Sequence, residues 1–317
     1  MSISTYLTAA LSGDHRALAR VMTMLEMGGE ETRDIMRAMY PRAGRAHVIG
    51  VTGAPGVGKS TLIDALAAAY RQQEKTVGIV CVDPTSPFTG GALLGDRVRL
   101  QGRATESGVF IRSMASRGQT GGVARATRRV VLVLDAAGFD VIFVETLGAG
   151  QADGDIRYIA QTVCLVTAPY AGDAVQALKA GILETAHVLV VNKADVPAAE
   201  AIVAALRGVL DLDDKKEGAW IVPVLKTSAE RNEGIAALRE TFMQHGDFLR
   251  NSGQWQQWCE QAARHEIITA AQALLWTQFD AKCHDLIAAH VRAVLDGQTD
   301  PDTAAERLVH ELMRSGV

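Results

Sequence analysis

The segment 47–62, HVIGVTGAPGVGKSTL, contains the strongest signal for the fold. It joins an apolar run at 47–52 to a glycine-rich stretch at 53–60 that fits the pattern G-x-x-x-x-G-K-[ST]. This pattern is typical of a loop that follows a buried strand and opens a helix, where glycines let consecutive backbone N–H groups turn toward a phosphate. The helix N-terminus adds partial positive charge. The sequence therefore predicts a phosphate-binding loop between a strand and a helix.

Two side chains at the end of this loop have an expected chemistry. We expect Lys59 to reach the β- and γ-phosphates of a nucleotide, and the Ser60 hydroxyl is placed to ligate Mg²⁺. The residues expected to contact the nucleotide here are Gly53, Ala54, Pro55, Gly56, Val57, Gly58, Lys59, Ser60 and Thr61.

Outside this loop, short apolar runs alternate with helical stretches between positions 47 and 228. Continuous runs of Val, Ile and Leu are typical of strands in a parallel sheet that is covered on both faces. The runs begin at His47, Thr76, Val109, Asp140, Thr162, His187 and Trp220. We therefore predict an α/β fold with a doubly wound, mainly parallel sheet of the P-loop type.

Helical sequence flanks this region on both sides, because apolar residues recur every three or four positions near each end of the chain. We predict an N-terminal helical extension at 1–45, a nucleotide-binding domain at 46–248 and a C-terminal helical arm at 249–317. The arm contains three tryptophans, Trp255, Trp258 and Trp276. They either form a dimer or partner surface, or pack the arm against its own domain.

A second motif predicts which base the site reads. NKAD at 192–195 follows the apolar run at 187–191, so it lies at the carboxyl end of a strand, where such sheets bind ligands. Its carboxylate can accept hydrogen bonds from guanine N1–H and N2–H₂, a donor pair that adenine lacks. TSA at 227–229 follows the last run, where a loop backbone can contact guanine O6. The residues expected at the base are Asn192, Lys193, Asp195, Ser228 and Ala229.

Three acidic residues are candidates for the magnesium and catalytic site. Asp83 ends the second apolar run and Glu145 ends the fourth, so both belong to the phosphate edge of the sheet. Asp96 lies in a polar loop, where a solvated charge is the alternative interpretation. ETLG at 145–148 has the layout of a D-x-x-G switch with Glu in place of Asp, and loss of the γ-phosphate would release it.

The hydrolytic machinery is less defined. Gln151 lies three residues after the switch glycine, Gly148, rather than directly after it, and it is a candidate for positioning the attacking water. The candidates for a transition-state arginine, which the sequence does not rank, are Arg97, Arg99, Arg112 and Arg117. We therefore expect slow intrinsic hydrolysis.

Composition excludes several classes of protein. The 317 residues carry a net charge of -4, so the overall field gives no reason to expect nucleic acid as a partner. Four scattered cysteines without a C-x-x-C spacing argue against a disulfide framework or a structural metal site. No long apolar stretch predicts a membrane span, and the first residues lack a secretory signal pattern. The expected location is cytoplasmic.

The motifs together resemble the MeaB/ArgK family, G-protein chaperones of adenosylcobalamin-dependent acyl-CoA mutases such as methylmalonyl-CoA mutase. The resemblance rests on VTGAPGVGKSTL at 51–62, VDPTSP at 82–87, LGDR at 94–97, VET at 144–146 and NKAD at 192–195. It covers most of the chain, including both helical flanks. It implies GTP or GDP with Mg²⁺ as ligands, a homodimer formed through the C-terminal arm, and the signal-recognition and nickel-insertase branch of GTPases.

The resemblance also implies roles for individual residues. Lys59, Asp96 and Glu145 would be catalytic, and the metal would be held by Ser60, Asp83, Asp96 and Glu145. Switch I would span about 88–103, switch II 145–153 and switch III about 169–179. Asp173, Gln176 and Lys179 fall on the switch III motif that couples to the mutase. In this family GTP hydrolysis gates cobalamin loading, protection and reactivation of the mutase, which in turn accelerates hydrolysis.

The chain departs from the family pattern in two places. Switch II has Leu147, Ala149, Ala152 and Asp153 at four positions where the family usually has other residues. Switch III reads PYAGDAVQA at 169–177, with Tyr170 in place of glycine. The resemblance implies a mutase partner of the methylmalonyl-CoA, 2-hydroxyisobutyryl-CoA or isobutyryl-CoA type. Because the departures cluster in switches II and III, we expect one of the two relatives of methylmalonyl-CoA mutase. The alternatives are a GTPase for protein targeting or metal insertion, and a P-loop small-molecule kinase.

Overall fold

A computed structural model describes residues 2–83, 101–103, 105–115, 125–146, 156–169, 183–211 and 218–314. Within these ranges the seven apolar runs form one sheet in which every paired strand is parallel. The strands are β1 (His47–Thr52), β2 (Val77–Asp83), β3 (Val109–Ala115), β4 (Val141–Glu145), β5 (Thr162–Thr167), β6 (Val188–Val191) and β7 (Val224–Lys226). The order across the sheet is β3-β2-β4-β1-β5-β6-β7. The predicted α/β fold is confirmed.

Helices precede, cover and follow this sheet. They are α1 (Ile3–Leu11), α2 (His15–Met27), α3 (Glu31–Met39), α4 (Lys59–Arg71), α5 (Arg125–Ala136), α6 (Ala198–Leu210), α7 (Ile235–Asn251), α8 (Gln254–Leu295) and α9 (Pro301–Arg314). One buried cluster joins α1–α3 and α5 to one face of the sheet, and another joins α4 and α7 to the opposite face. The sheet is therefore covered on both faces, as its continuous apolar strands require.

The N-terminal helices follow from capping and apolar spacing. The Asp14 carboxylate accepts from the Ala17 N–H at 2.8 Å and so caps α2, which ends at Gly28 with φ 76°. The buried residues of α2 recur every three or four positions and include Leu18 and Leu25, and this stripe packs against α5.

An ion pair fixes these helices to the edge of the sheet. Arg112 on β3 pairs with Glu26 on α2, with Nε 2.7 Å from Oε1, and it also donates to the Thr23 hydroxyl at 3.1 Å. Both charged side chains are mostly buried. These contacts hold the Arg112 guanidinium against the helical extension. Arg112 is therefore a poor candidate for a transition-state arginine.

The connection into β1 is held by one carboxylate. Asp135 on α5 accepts hydrogen bonds from the backbone N–H groups of Gly44, Arg45 and Ala46, at 2.5, 3.0 and 3.0 Å. Hydrogen bonds to a charged group are worth about 1.5–3 kcal/mol each. Asp135 therefore sets where the central strand begins.

The chain divides into two compact units, Met1–Trp258 and Cys259–Val317. In the first unit the guanidinium of Arg250 lies 4.5 Å from the ring centre of Trp255, and the Trp258 indole donates to the Arg157 carbonyl at 2.7 Å. These two tryptophans thus pack on their own chain. The predicted division at 45 and 248 stays a prediction.

The second unit contains most of α8 together with α9. Large apolar side chains on α8 are exposed in this unit: Ile267, Ile268, Leu274, Leu275, Val291 and Leu295. Among the helices in the described ranges, none has the length and hydrophobicity that a membrane span requires.

Three histidines cluster where β1, β5 and β6 begin. Thr162 Oγ1 lies 2.6 Å from His47 Nε2 and 2.7 Å from His245 Nδ1, and the rings of His245 and His187 are 4.5 Å apart. Burial lowers the pKa of all three side chains, to about 3 for His47, about 4 for His187 and about 2 for His245. The folded protein therefore keeps these rings neutral at mildly acidic pH.

We expect the free energy of unfolding to fall as the pH drops below about 6.5, the ordinary pKa of histidine in an unfolded chain. Between that value and the lowered pKa values the unfolded chain binds protons that the folded protein does not. Each such histidine then costs about 1.4 kcal/mol per pH unit. Urea unfolding at a series of pH values from about 7.5 to 5 measures this slope.

Two variants sharpen that measurement. His187→Asn keeps a side-chain oxygen that can accept from the Val163 N–H, so it should fold and show a smaller slope. His310→Gln on the exposed surface of α9 is the control and should keep the wild-type slope. Stability that does not change between neutral pH and pH 5 would contradict the neutral buried histidines.

Candidate nucleotide-binding site

The loop at 53–58 connects β1 to α4 at the carboxyl edge of the sheet. Gly53 has φ 138°, and a Cβ there would lie 2.0 Å from the Val166 carbonyl oxygen on β5, so no side chain fits. Gly58 has φ 92° and precedes the first residue of α4, and a Cβ on it would lie 2.5 Å from Asn192 Nδ2. These close approaches hold the loop against two strand ends, and the N-terminus of α4 opens directly onto it.

Lys59 and Ser60 begin α4, and both are buried. The Lys59 ammonium donates to the carbonyl oxygens of Gly53 at 2.7 Å and Ala54 at 3.1 Å, so its charge lies against the loop. Of the other predicted loop contacts, Pro55, Gly56 and Thr61 are exposed and Val57 is buried. An anion bound in the loop would meet both the ammonium and the helix N-terminus.

Oxygen atoms suited to Mg²⁺ meet at the same edge. The Ser60 hydroxyl donates to Glu145 Oε1 at 2.8 Å, and the Cys81 thiol lies 4.0 Å from the other carboxylate oxygen. Glu145 is buried at the end of β4, beside β1 and β2. Hydroxyl and carboxylate oxygens are ligands that Mg²⁺ prefers, so Ser60 and Glu145 fit a magnesium site in which the ion would neutralise phosphate charge.

Part of the predicted metal and switch machinery is not described. The backbone of Asp83 ends β2 at this edge, but its side chain lies outside the described part. The other predicted residues outside it are Asp96, Arg97, Arg99, Arg117, Leu147, Ala149, Gln151, Ala152, Asp153, Tyr170, Asp173, Gln176 and Lys179. Over the ranges that the structure covers, no three His, Cys, Asp or Glu side chains form a candidate metal-binding group.

Asn192 joins the phosphate loop to the predicted base loop. Its Nδ2 donates to the Val57 carbonyl at 3.0 Å, while its Oδ1 accepts from the Thr227 hydroxyl at 3.1 Å and from the Ala229 N–H at 3.2 Å. The side chain is buried. The NKAD motif predicts Asn192 at the base, and the structure shows it bonded to both loops.

Lys193 reaches the phosphate loop as well. Its ammonium donates to the Gly56 carbonyl at 2.8 Å, and its backbone has φ 54°, a left-handed conformation that is uncommon outside glycine. The two residues that open the base motif therefore both bind the loop at 53–58.

Asp195 is the carboxylate predicted to read the base. Ser228 Oγ donates to its Oδ1 at 3.2 Å, and Arg231 Nη2 lies 3.2 Å from its Oδ2. Arg231 was not predicted from the sequence, because no spacing rule marks an arginine beyond the TSA motif. The structure thus brings the described phosphate residues, the magnesium candidates Ser60 and Glu145, and the base residues to one edge of the sheet.

A glycine-rich loop opening a helix, a serine beside a buried carboxylate, and an N-K-x-D segment bonded to that loop define a P-loop nucleotide-binding protein. Comparison with known protein families identifies the family within this class. The model of the family described as "Methylmalonyl Co-A mutase-associated GTPase MeaB" matches residues 18–284. The chain belongs to the MeaB family.

The sequences of individual relatives align with most of this chain. A protein of Pyrococcus abyssi named as a GTPase is 44% identical over 308 residues, which cover 96% of this chain and 95% of the relative. A Caenorhabditis briggsae protein named methylmalonic aciduria type A homolog, mitochondrial, is 30% identical and covers 83% of this chain and 70% of its own. Relatives named as GTPases imply guanine nucleotide binding.

The fold has also been seen in a solved structure. The crystal structure of the LAO/AO transport system kinase superposes with a TM-score of 0.74 and 23% sequence identity. The match covers 98% of this chain and 97% of that one, so the shared fold includes the helical flanks.

We expect Asn192→Ala to lower both the free energy of unfolding and the affinity for GDP. The change removes the hydrogen bonds to Val57, Thr227 and Ala229, and a buried polar group left unpaired costs about 1–3 kcal/mol. Urea unfolding and calorimetric titration with GDP measure the two effects. Lys193→Ala is the matched control for the unfolding measurement: it removes one exposed hydrogen bond to the same loop and should cost about 0.5–1 kcal/mol. Wild-type stability and affinity in Asn192→Ala would contradict the joining role.

Proposed function

We propose that the protein hydrolyses GTP to GDP and phosphate and serves as a chaperone of an adenosylcobalamin-dependent acyl-CoA mutase. The observation that supports GTP binding and hydrolysis is the set of hydrogen bonds made by Asn192. They link the phosphate loop to the base loop, so that one nucleotide can span both. Membership of the MeaB family supports GTP hydrolysis over the small-molecule kinase and protein-targeting alternatives.

Each residue then has a task in binding and hydrolysis. Lys59 neutralises the β- and γ-phosphates, and Asp195 accepts from guanine N1–H and N2–H₂. Ser60 and Glu145 hold Mg²⁺ with Asp83 and Asp96, and Lys59, Asp96 and Glu145 form the catalytic set. Arg112, the candidate arginine that lies in the described part of the chain, is paired with Glu26, and we expect hydrolysis by the isolated protein to be slow.

The proposed partner is a mutase of the methylmalonyl-CoA, 2-hydroxyisobutyryl-CoA or isobutyryl-CoA type. The family description names methylmalonyl Co-A mutase, and one relative is named for methylmalonic aciduria. Asp173, Gln176 and Lys179 would couple the nucleotide state to the mutase. In this proposal GTP hydrolysis gates the loading, protection and reactivation of the mutase cofactor.

The protein is further proposed to act as a homodimer formed through its C-terminal arm. Exposed Ile267 and Leu274 lie seven residues apart on α8, so they share one face of the helix. Burying such a face against a second copy would remove apolar area from water.

We expect Asp195→Asn to move the preference of the site from guanosine to xanthosine nucleotides. The amide N–H₂ of asparagine can donate to the xanthine 2-oxygen but no longer accepts from both guanine donors. Calorimetric titration with GDP and XDP measures the change, and the GDP affinity should fall at least about 100-fold. Unchanged GDP affinity in this variant would reject the guanine assignment.

We expect a cognate mutase to raise the rate of phosphate release from GTP at least about tenfold, equivalent to 1.4 kcal/mol of barrier. The three mutase types are compared at equal concentration, because the substitutions clustered in switches II and III predict a relative of methylmalonyl-CoA mutase. Lys59→Ala should release no phosphate above background with any of them. Equal acceleration by all three would contradict the predicted partner choice, and no acceleration by any would reject the chaperone proposal.

A further inference from the structure

Two side chains contact the base-reading carboxylate, one at each of its oxygens. Ser228 Oγ donates to Asp195 Oδ1 at 3.2 Å, and the Arg231 guanidinium lies 3.2 Å from Oδ2. One donor on each oxygen fixes the plane of the carboxylate, because rotation of the group would break one of the two contacts.

The loop that carries Arg231 is itself closed by backbone hydrogen bonds. Ser228 and Glu233 exchange two of them, with N to O distances of 3.0 and 3.1 Å, and the Arg231 N–H donates to the Ser228 carbonyl at 3.1 Å. Gly234 ends the loop with φ 74°, and a Cβ there would lie 2.2 Å from the Lys226 carbonyl oxygen. The backbone therefore presents Arg231 to Asp195 in a fixed position.

This arrangement leaves the carboxylate able to read a base. An ionised carboxylate has about four lone-pair sites, two on each oxygen. Ser228 and Arg231 use one site on each oxygen of Asp195, so one remains on each. Guanine presents its N1–H and N2–H₂ donors side by side, which matches two acceptors held in one plane.

We propose that Arg231 is a specificity-determining positioning residue for guanine: it holds Asp195 in the orientation that accepts from both N1–H and the 2-amino group. The inference rests on the proposed guanine site and adds a residue to it. Hypoxanthine is the base that tests it, because inosine nucleotides keep N1–H and lack the 2-amino group. Loss of the Arg231 contact should therefore weaken GDP more than IDP.

The expected effect is modest. Arg231 is 59% exposed and Asp195 is 25% exposed, and an ion pair in such a position changes an equilibrium by about 1.5- to 5-fold. Arg231→Ala should lower the ratio of GDP affinity to IDP affinity by about that factor. Arg231→Lys, which keeps the charge within reach of Asp195, should retain most of the ratio.

Lys226→Ala is the matched control. Lys226 ends β7 just before the same loop, and its ammonium pairs with Glu200 at 2.5 Å and not with Asp195. The variant removes one positive charge from the same region, so a general field effect would appear in it too. We expect its GDP to IDP ratio to equal that of the wild type.

Calorimetric titration of wild type, Arg231→Ala, Arg231→Lys and Lys226→Ala with GDP, IDP and ADP tests the inference. An unchanged ratio in Arg231→Ala, or tighter GDP binding, would overturn the positioning role. Equal affinity of the wild type for GDP and ADP would instead overturn the proposed guanine site itself.

Discussion

The nucleotide site depends on one buried amide. Asn192 donates to the loop at 53–58 and accepts from the loop at 227–229, so it sets the distance between the phosphate end and the base end of the site. An amide offers a donor and an acceptor on one rigid group, and neither aspartate nor alanine supplies both. Gly58 is tied to the same constraint, because a Cβ there would lie 2.5 Å from the Asn192 nitrogen.

The rest of the fold brings the carboxyl ends of the strands close to Asn192. Placing β1 between β4 and β5 puts Ser60, which follows the β1 loop, within 2.8 Å of Glu145 at the end of β4. Asp135 fixes where β1 begins, and the pair of Arg112 with Glu26 fixes the N-terminal helices against β3. At the opposite edge, buried neutral histidines join the starts of β1, β5 and β6. The charged chemistry and the buried uncharged network thus lie at opposite ends of the same strands.

The fold and most of the described site were predictable because their signals are local. Buried parallel strands are continuous apolar runs, and each predicted run contains a strand. The last strand, β7, begins only after Pro223, because proline has no backbone N–H for the hydrogen bonds between strands. Strand order has no local signal. The contacts of Arg112 with Glu26, 86 positions apart, and of Arg231 with Asp195 depend on tertiary packing, as does the joining role of Asn192. Residue types at fixed spacing identify the motifs, but not which side chains bond across them.

We propose that the two loops joined by Asn192 form a single site for a guanine nucleotide. Calorimetric titration of nucleotide-stripped wild-type protein with GDP and with ADP, in the presence of Mg²⁺, tests it most directly. We expect one site per chain and a GDP affinity at least about 100-fold above that of ADP, because adenine would leave the Asp195 carboxylate without its two donors. Equal affinities for the two nucleotides, or binding of neither, would contradict it.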